Sequence, residues 1–148
     1  MLNLSSSANE IELRNALVEC GRLMYQRKLI TSTDGNFSVR LSNGNILITP
    51  AGIAKGRMNP DDMLIVNVDG DVISSRADRK PSSETAMHLE VYKHRENIHA
   101  VIHAHPVFST TITVAHLEFP NDVLPEVMAT LGSVPITEYA TPSSHEDA

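Results

Sequence analysis

The sequence predicts a single α/β domain with a mixed, mostly antiparallel sheet and helices packed on it. Two apolar runs alternate around dipeptides that are typical of hairpin turns, and two other segments keep helical spacing. The 148 residues are 41% hydrophobic, which is enough to bury one core without disulfides. We therefore expect residues 1–148 to form one domain.

The first element is predicted to be an amphipathic helix from Asn9 to about Lys28. Asn9 is a good N-cap, and acidic residues follow it in the first turn. Two hairpins come next. The first is NFSVRLSNGNILIT around Asn43-Gly44, and the second is MLIVNV and DVISS around Asp69-Gly70.

The second half of the chain changes period more often. A helix is predicted from Ser82 to about Arg95, with Met87 and Val91 on its apolar side. Three further elements are predicted: a strand over His99–His105, a helix beginning at Pro106, and a short strand near Val134–Glu138.

Two histidines stand one residue apart inside the apolar stretch AVIHAHPVFST. In a strand, His103 and His105 point to the same face, with their Cα atoms about 6.5–7 Å apart. Two neutral imidazoles side by side begin a metal site. The alternative is that one ring belongs to the core and the other is exposed to solvent.

Small and polar residues recur at three turns beside strands or helices: Gly35-Asn36, the turn with Gly52, and Ser82-Ser83. Two serines at a predicted helix start suit an anion, because free N–H groups and the helix dipole point outward there. Plain turn or cap chemistry is the alternative for each. Glu84 follows the serines and is a candidate general base or further metal ligand.

Composition excludes several classes of partner. A net charge of −6 argues against nucleic acid, which requires a basic face. The single Cys20 rules out an internal disulfide and is typical of a reducing compartment. We see neither a signal peptide nor a run apolar enough for a membrane span, so we expect a cytoplasmic protein with no membrane partner.

Four ordered blocks, GNFSVR, ITPAGI, KPSSET and HAVIHAHP, resemble the class II aldolases of the fuculose-phosphate aldolase and adducin-head type. The similarity runs from about Glu10 to the end of the chain. It implies a three-layer α/β/α fold and assembly as a homotetramer.

The resemblance also implies the site. A Zn²⁺, or another divalent metal, is expected on His103 and His105 with Glu84 beside it as ligand and base. A phosphorylated sugar would be held by five residues: Gly35, Asn36, Gly52, Ser82 and Ser83. The implied reaction is cleavage of a ketose 1-phosphate to a triose phosphate and an aldehyde, with zinc stabilising the enediolate.

Other activities share this scaffold. Pentulose-phosphate 4-epimerases carry aspartate where Glu84 stands, which favours an aldolase. Dehydratases and decarboxylases remain alternatives, and so does a non-catalytic, adducin-like interaction module. Such modules tend to lose the zinc histidines, whereas His103 and His105 are present here.

The last residues predict a truncated domain. Ser143 and Glu146 form a capping box, the opening of a helix, and Ala148 follows almost at once. The family's third zinc histidine is expected beyond residue 148. Catalytic zinc takes three protein ligands, so we expect this chain to bind metal weakly or not at all, and to be inactive as it stands.

Overall fold

A computed structural model describes residues 9–76, 79–120 and 123–141. Its core is a five-stranded sheet in the order β4-β3-β2-β1-β5. The strands are β1 (Asn36–Arg40), β2 (Ile46–Ile48), β3 (Leu64–Val66), β4 (Val72–Ser75) and β5 (Ala100–His103). All four strand pairings are antiparallel, so the mixed sheet that the sequence suggested is not seen in the described residues.

Both predicted hairpins are confirmed. The first joins β1 to β2 through Gly44, which has a φ of 86°. That backbone conformation costs glycine little, which is why Asn-Gly predicts such turns. The second joins β3 to β4 through Gly70, and a register shift follows Ile65.

The first helix, α1 (Glu10–Gln26), begins as predicted. Asn9 accepts a hydrogen bond from the Glu12 N–H, and the Glu12 carboxylate accepts one from the Asn9 N–H, which completes a capping box. Leu13 and Leu17 turn inward against β1, β2 and β3. Cys20 is half-buried and packs against this cluster.

The second helix, α2 (Thr85–His94), begins three residues later than Ser82, where it was predicted to start. The Ser82 carbonyl accepts hydrogen bonds from both the N–H and the hydroxyl of Thr85, so the serines belong to the preceding turn. The buried face also differs from the predicted one. It carries Thr85, His88, Leu89 and Tyr92 instead of Met87 and Val91.

The sheet has a hydrophobic cluster on each face. Leu47 and Ile65 face α1, while Ile46, Ile48, Leu64 and Val66 face Leu89 and Tyr92 of α2. This alternation follows the two-residue period of strands and explains why β2 and β3 are apolar at every position. The sheet thus has α1 on one face and α2 on the other. The complete three-layer fold stays a prediction.

The strand predicted over His99–His105 is shorter, since β5 ends at His103. The His105 N–H donates to the Leu29 carbonyl at 3.1 Å, outside the sheet. The predicted helix after Pro106 is confirmed as α3 (Val107–Val114).

The final part of the chain departs further from expectation. A short helix, α4 (Pro125–Thr130), lies where only a loop was predicted. The predicted strand near Val134–Glu138 is wrong, because those residues form no strand. Pro135 lies in the middle of that segment and has no N–H to donate to a ladder. The predicted capping box of Ser143 and Glu146 lies outside the described residues.

Several large apolar side chains of this part are exposed, among them Phe108, Val114, Leu131 and Tyr139. Neither α3 nor α4 contains a buried residue. None of the described helices has the length and apolar character needed to cross a membrane.

Candidate metal and substrate site

The candidate site lies where the start of β1, the turn before α2 and the end of β5 meet. Asn36 pairs with His103 across the β1–β5 ladder, so strand register places the two side by side. Glu84 reaches them as the N-cap residue of α2. A second contact brings two loops together, because Pro50 and Pro81 form an isolated bridge and the Ala51 N–H donates to the Lys80 carbonyl.

Three side chains form a potential metal-binding cluster: Glu84, His103 and His105. One ligand atom from each lies within 4.8 Å of the others. Glu84 Oε2 is 2.5 Å from His103 Nδ1, and the two histidine rings have centroids 4.8 Å apart. His105 is exposed and lies after the end of β5. The two histidines are therefore held by a strand end and the loop that follows it, not by one continuous strand.

The donor set fits a divalent transition metal. Two imidazole nitrogens and one carboxylate oxygen suit zinc and its neighbours, whereas magnesium and calcium prefer oxygen donors alone. Glu84 and His103 are partly buried, and His105 is exposed.

The Glu84 carboxylate is held in its ionised form. Burial opposes ionisation, but the hydrogen bond from Asn36 and the charges of His103 and His105 outweigh it, so the pKa of Glu84 lies below its ordinary value. Asn36 Nδ2 donates to Glu84 Oε2 at 2.5 Å. The carboxylate is therefore ready to accept a proton or to bind a cation.

An open cavity of about 250 Å³ adjoins this cluster. The cavity is lined by all five residues predicted to bind substrate: Gly35, Asn36, Gly52, Ser82 and Ser83. Glu84 and His105 line it as well. The structure thus brings the predicted site residues together. Their roles in binding and catalysis stay predictions.

The serines have partly structural roles. The Ser82 hydroxyl oxygen accepts the Glu84 N–H at 3.3 Å, which is the turn chemistry considered as the alternative. Its own O–H remains a donor, and the Ser83 side chain is exposed at the cavity. Cap and ligand roles are therefore compatible for Ser82.

Sequence reasoning missed three residues of the cavity wall: Thr33, Asp34 and Lys55. Lys55 is only 2% exposed, and its Nζ donates to the carbonyls of Thr33 and Ile53, each at 2.9 Å. Of the described residues that line the cavity, it is the one lysine or arginine. A lysine next to a glycine in a loop is normally expected to be exposed to solvent. Nothing local in the sequence therefore indicates that Lys55 is buried.

Gly35 shows why a glycine is needed at the site. Its φ is 70°, and a Cβ there would meet Ile30 Cγ2 at 2.7 Å and the His103 carbonyl oxygen at 2.9 Å. The backbone of Gly35 therefore lies directly against the strand that carries His103. A side chain would push the two apart.

Residues 15–148 match the Class II Aldolase and Adducin N-terminal domain family. The chain therefore belongs to this family. The resemblance seen in the sequence is thereby confirmed.

Among curated proteins, the methylthioribulose-1-phosphate dehydratase of Methylococcus capsulatus is 41% identical over 70% of this chain and 50% of its own length. The 3-oxo-tetronate 4-phosphate decarboxylase of Escherichia coli is 32% identical over 90% of this chain and 63% of its own. The 5-deoxy-D-ribulose 1-phosphate aldolase of Bacillus thuringiensis is 38% identical over 72% of this chain and 50% of its own length. The chain spans about half the length of most of these relatives.

Solved structures agree with the fold. YgbL from Klebsiella pneumoniae, described as an aldolase, epimerase or decarboxylase, superposes with a TM-score of 0.85 at 30% identity, covering 93% of this chain and 67% of its own. The L-fuculose-1-phosphate aldolase of Thermus thermophilus gives a TM-score of 0.67 at 33% identity, covering 79% of this chain and 56% of its own.

Proposed function

We propose that the protein is a divalent-metal-dependent lyase that removes water from a phosphorylated ketose. The observation that carries this proposal is the Glu84, His103 and His105 cluster at the wall of a polar cavity. The curated relatives named as dehydratases support dehydration over the aldol cleavage first expected from the motifs. The same cluster argues against a non-catalytic adducin-like module, which has no use for it.

The residues of the chain divide the work. Glu84, His103 and His105 would hold the metal, which supplies a Lewis acid for negative charge developing on the substrate's oxygens. Lys55 and the hydroxyls of Ser82 and Ser83 lie where an anionic group of the substrate would bind. The backbone at Gly35 and Gly52 lets the substrate approach closely.

Glu84 moves the proton. Its carboxylate takes the proton from the carbon next to the carbonyl, and the electron pair forms the new double bond. The hydroxyl on the following carbon then receives that proton from Glu84 and leaves as water. This step needs an ionised carboxylate, and the environment of Glu84 keeps it ionised.

A decarboxylase is the second candidate. It is favoured by the alignment over 90% of this chain with the decarboxylase and by the TM-score of 0.85 with YgbL. Here the bond to a substrate carboxylate breaks, carbon dioxide leaves, and the carbon that keeps the electron pair takes a proton from water, which Glu84 would relay. Both reactions use the same residues.

The test compares three substrates on one preparation. Metal-stripped protein is reloaded with Zn²⁺, Mn²⁺ or Co²⁺ and given 5-methylthioribulose 1-phosphate, 3-oxo-tetronate 4-phosphate and 5-deoxyribulose 1-phosphate. Metal-dependent loss of water from the first is expected to be the fastest reaction. Faster release of carbon dioxide would favour the decarboxylase, and faster release of an aldehyde would restore the aldolase.

Glu84→Gln provides the residue-level check. We expect kcat to fall by about 100-fold or more while KM stays within about tenfold, because proton transfer is lost and binding contacts remain. Glu90→Gln on the same helix is the matched control, since Glu90 forms ion pairs with Lys93 and His94, away from the site. The metal content of each variant is measured as well. A variant that has lost metal has lost a ligand, whereas an inactive variant that keeps its metal has lost the base. Turnover by Glu84→Gln above about a tenth of wild type would refute the assignment.

We also propose that the protein works as a homo-oligomer in the cytoplasm. The exposed apolar side chains of α3, α4 and the segment around Tyr139 support association. Sedimentation velocity measures it directly, and a strictly monomeric protein would contradict the proposal.

A further inference from the structure

A line of hydrogen bonds runs from the core into the site. The Tyr92 hydroxyl is 2.9 Å from Ser38 Oγ, which lies 2.6 Å from Nδ1 of His88. Nε2 of the same imidazole lies 2.5 Å from Asn36 Oδ1, and Asn36 Nδ2 lies 2.5 Å from Glu84 Oε2. Five residues of β1, α2 and the turn before α2 are thus joined.

The chemistry of the groups fixes the direction of each bond. Ionised Glu84 only accepts, so the amide of Asn36 must turn its NH₂ group toward the carboxylate. Its carbonyl oxygen then faces His88, whose Nε2 must carry the proton. The other nitrogen, Nδ1, accepts from the Ser38 hydroxyl, and Ser38 Oγ accepts in turn from Tyr92.

The middle of the line is buried away from solvent. Ser38 and His88 are fully buried, and Asn36 and Tyr92 are nearly so. Desolvation, helped by the charge of His103, lowers the pKa of His88 to about 4, which keeps the ring neutral near pH 7. A reversed Asn36 amide would set its carbonyl oxygen against the Glu84 carboxylate and its NH₂ against the Nε2–H of His88. Two unfavourable contacts would replace two hydrogen bonds.

We propose that His88 is a positioning residue that acts through Asn36 to hold the Glu84 carboxylate against His103. The inference rests on the proposed role of Glu84 in the metal site, but not on any one reaction. Asn36 accordingly has a role in orienting Glu84 besides the substrate contact predicted for it.

The first test measures metal affinity of the full chain by titration with Co²⁺ and with Zn²⁺. His88→Leu removes the Nε2–H donor and is expected to weaken binding by about 10- to 100-fold, as loss of a hydrogen bond to a ligand's support does elsewhere. His88→Gln keeps an N–H at a similar reach and is expected to stay within about threefold of wild type. Equal affinity of wild type and a folded His88→Leu would overturn the proposal.

Leu89→Val is the matched control for a merely structural effect. Leu89 is buried on the same helix and belongs to the apolar cluster, outside the hydrogen-bonded line. We expect it to lower the unfolding temperature without changing metal affinity. If Leu89→Val weakens metal binding as much as His88→Leu does, His88 acts through general stability and the proposal fails.

The second test is nitrogen NMR of the metal-free protein, which does not depend on turnover. The His88 ring should be the Nε2–H tautomer, and Ser38→Ala should mix the tautomers and weaken metal binding while leaving the ring buried. This variant decides the matter if His88→Leu does not fold. An unchanged tautomer and unchanged metal affinity in Ser38→Ala would refute the role of the line. Because neither readout uses a substrate, absence of all three activities would overturn the proposed function and leave this inference standing.

Discussion

Lys55 is a buried cation in the wall of the cavity. Desolvation lowers the pKa of its ammonium group, although the charges of Asp34 and Glu84 partly compensate. Its Nζ bonds two carbonyl oxygens and has no carboxylate within ion-pair distance among the described residues. A desolvated cation beside an open polar cavity is suited to an anionic ligand.

Substitution of Lys55 should therefore affect phosphorylated substrates selectively. We expect Lys55→Met to raise KM for a sugar phosphate by about tenfold or more, since a charge-assisted contact is worth roughly 1.5–3 kcal/mol. The dephosphorylated sugar should show little change. Lys80→Met is the control, because Lys80 is exposed next to the same serines. Equal effects of the two substitutions in steady-state kinetics would contradict the assignment.

At this scale the sequence predicted residues that the structure brings together at the cavity, but not the residues that support them. Glu84, His103 and His105 are recognisable because their residue types and spacing are unusual for a core. Lys55 and the line through Ser38 and His88 are not, since a serine on a strand and a histidine on a helix have many ordinary uses. Only the fold shows that these side chains face one another.

The elements were predictable where local chemistry decides them. Asn43-Gly44 and the second turn dipeptide determine the hairpins without help from the rest of the chain. The start of α2 was misplaced because the Ser82 carbonyl closes a turn before the helix begins. The strand near Val134–Glu138 was predicted from the apolar residues around Pro135, but a proline within the segment disfavours a strand.

The contact between Gly35 and β5 gives a prediction about elements. Gly35→Ala and Gly44→Ala both place a Cβ on a backbone with positive φ, which costs about 1–2 kcal/mol. A Cβ at Gly44 meets nothing within 4 Å, whereas one at Gly35 meets Ile30 and the His103 carbonyl. We expect the Gly35 variant to lose more stability in urea and also to lose metal affinity. Equal losses of stability, with metal affinity unchanged, would show that the close approach does not matter.

The stability of the whole molecule should depend on pH through His88. Its pKa is about 4 when folded and about 6.5 in an unfolded chain, so the unfolded state takes up a proton that the native state excludes. The free energy of unfolding should fall as the pH drops from about 6.5 to about 4, by up to roughly 3 kcal/mol. Below that range the effect is complete.

Urea unfolding at several pH values measures this slope. His88→Gln has no ionisable ring and serves as the matched variant, since the carboxylates, including Glu84, titrate in both proteins. The difference between the two curves isolates the imidazole. A constant difference between pH 7 and pH 4 would mean that the ring is protonated at no cost in the native state.

The pairing of Asn36 with His103 also has a consequence for folding kinetics. These partners are 67 residues apart, and Asn36 and Glu84 are 48 apart, so the site closes long loops of the chain. Such contacts form late, because chain entropy is lost before they are gained. A bound metal should then slow unfolding while leaving the refolding rate unchanged, which stopped-flow mixing with and without Zn²⁺ measures. Faster refolding with Zn²⁺ would instead place the histidines and Glu84 together in the folding nucleus.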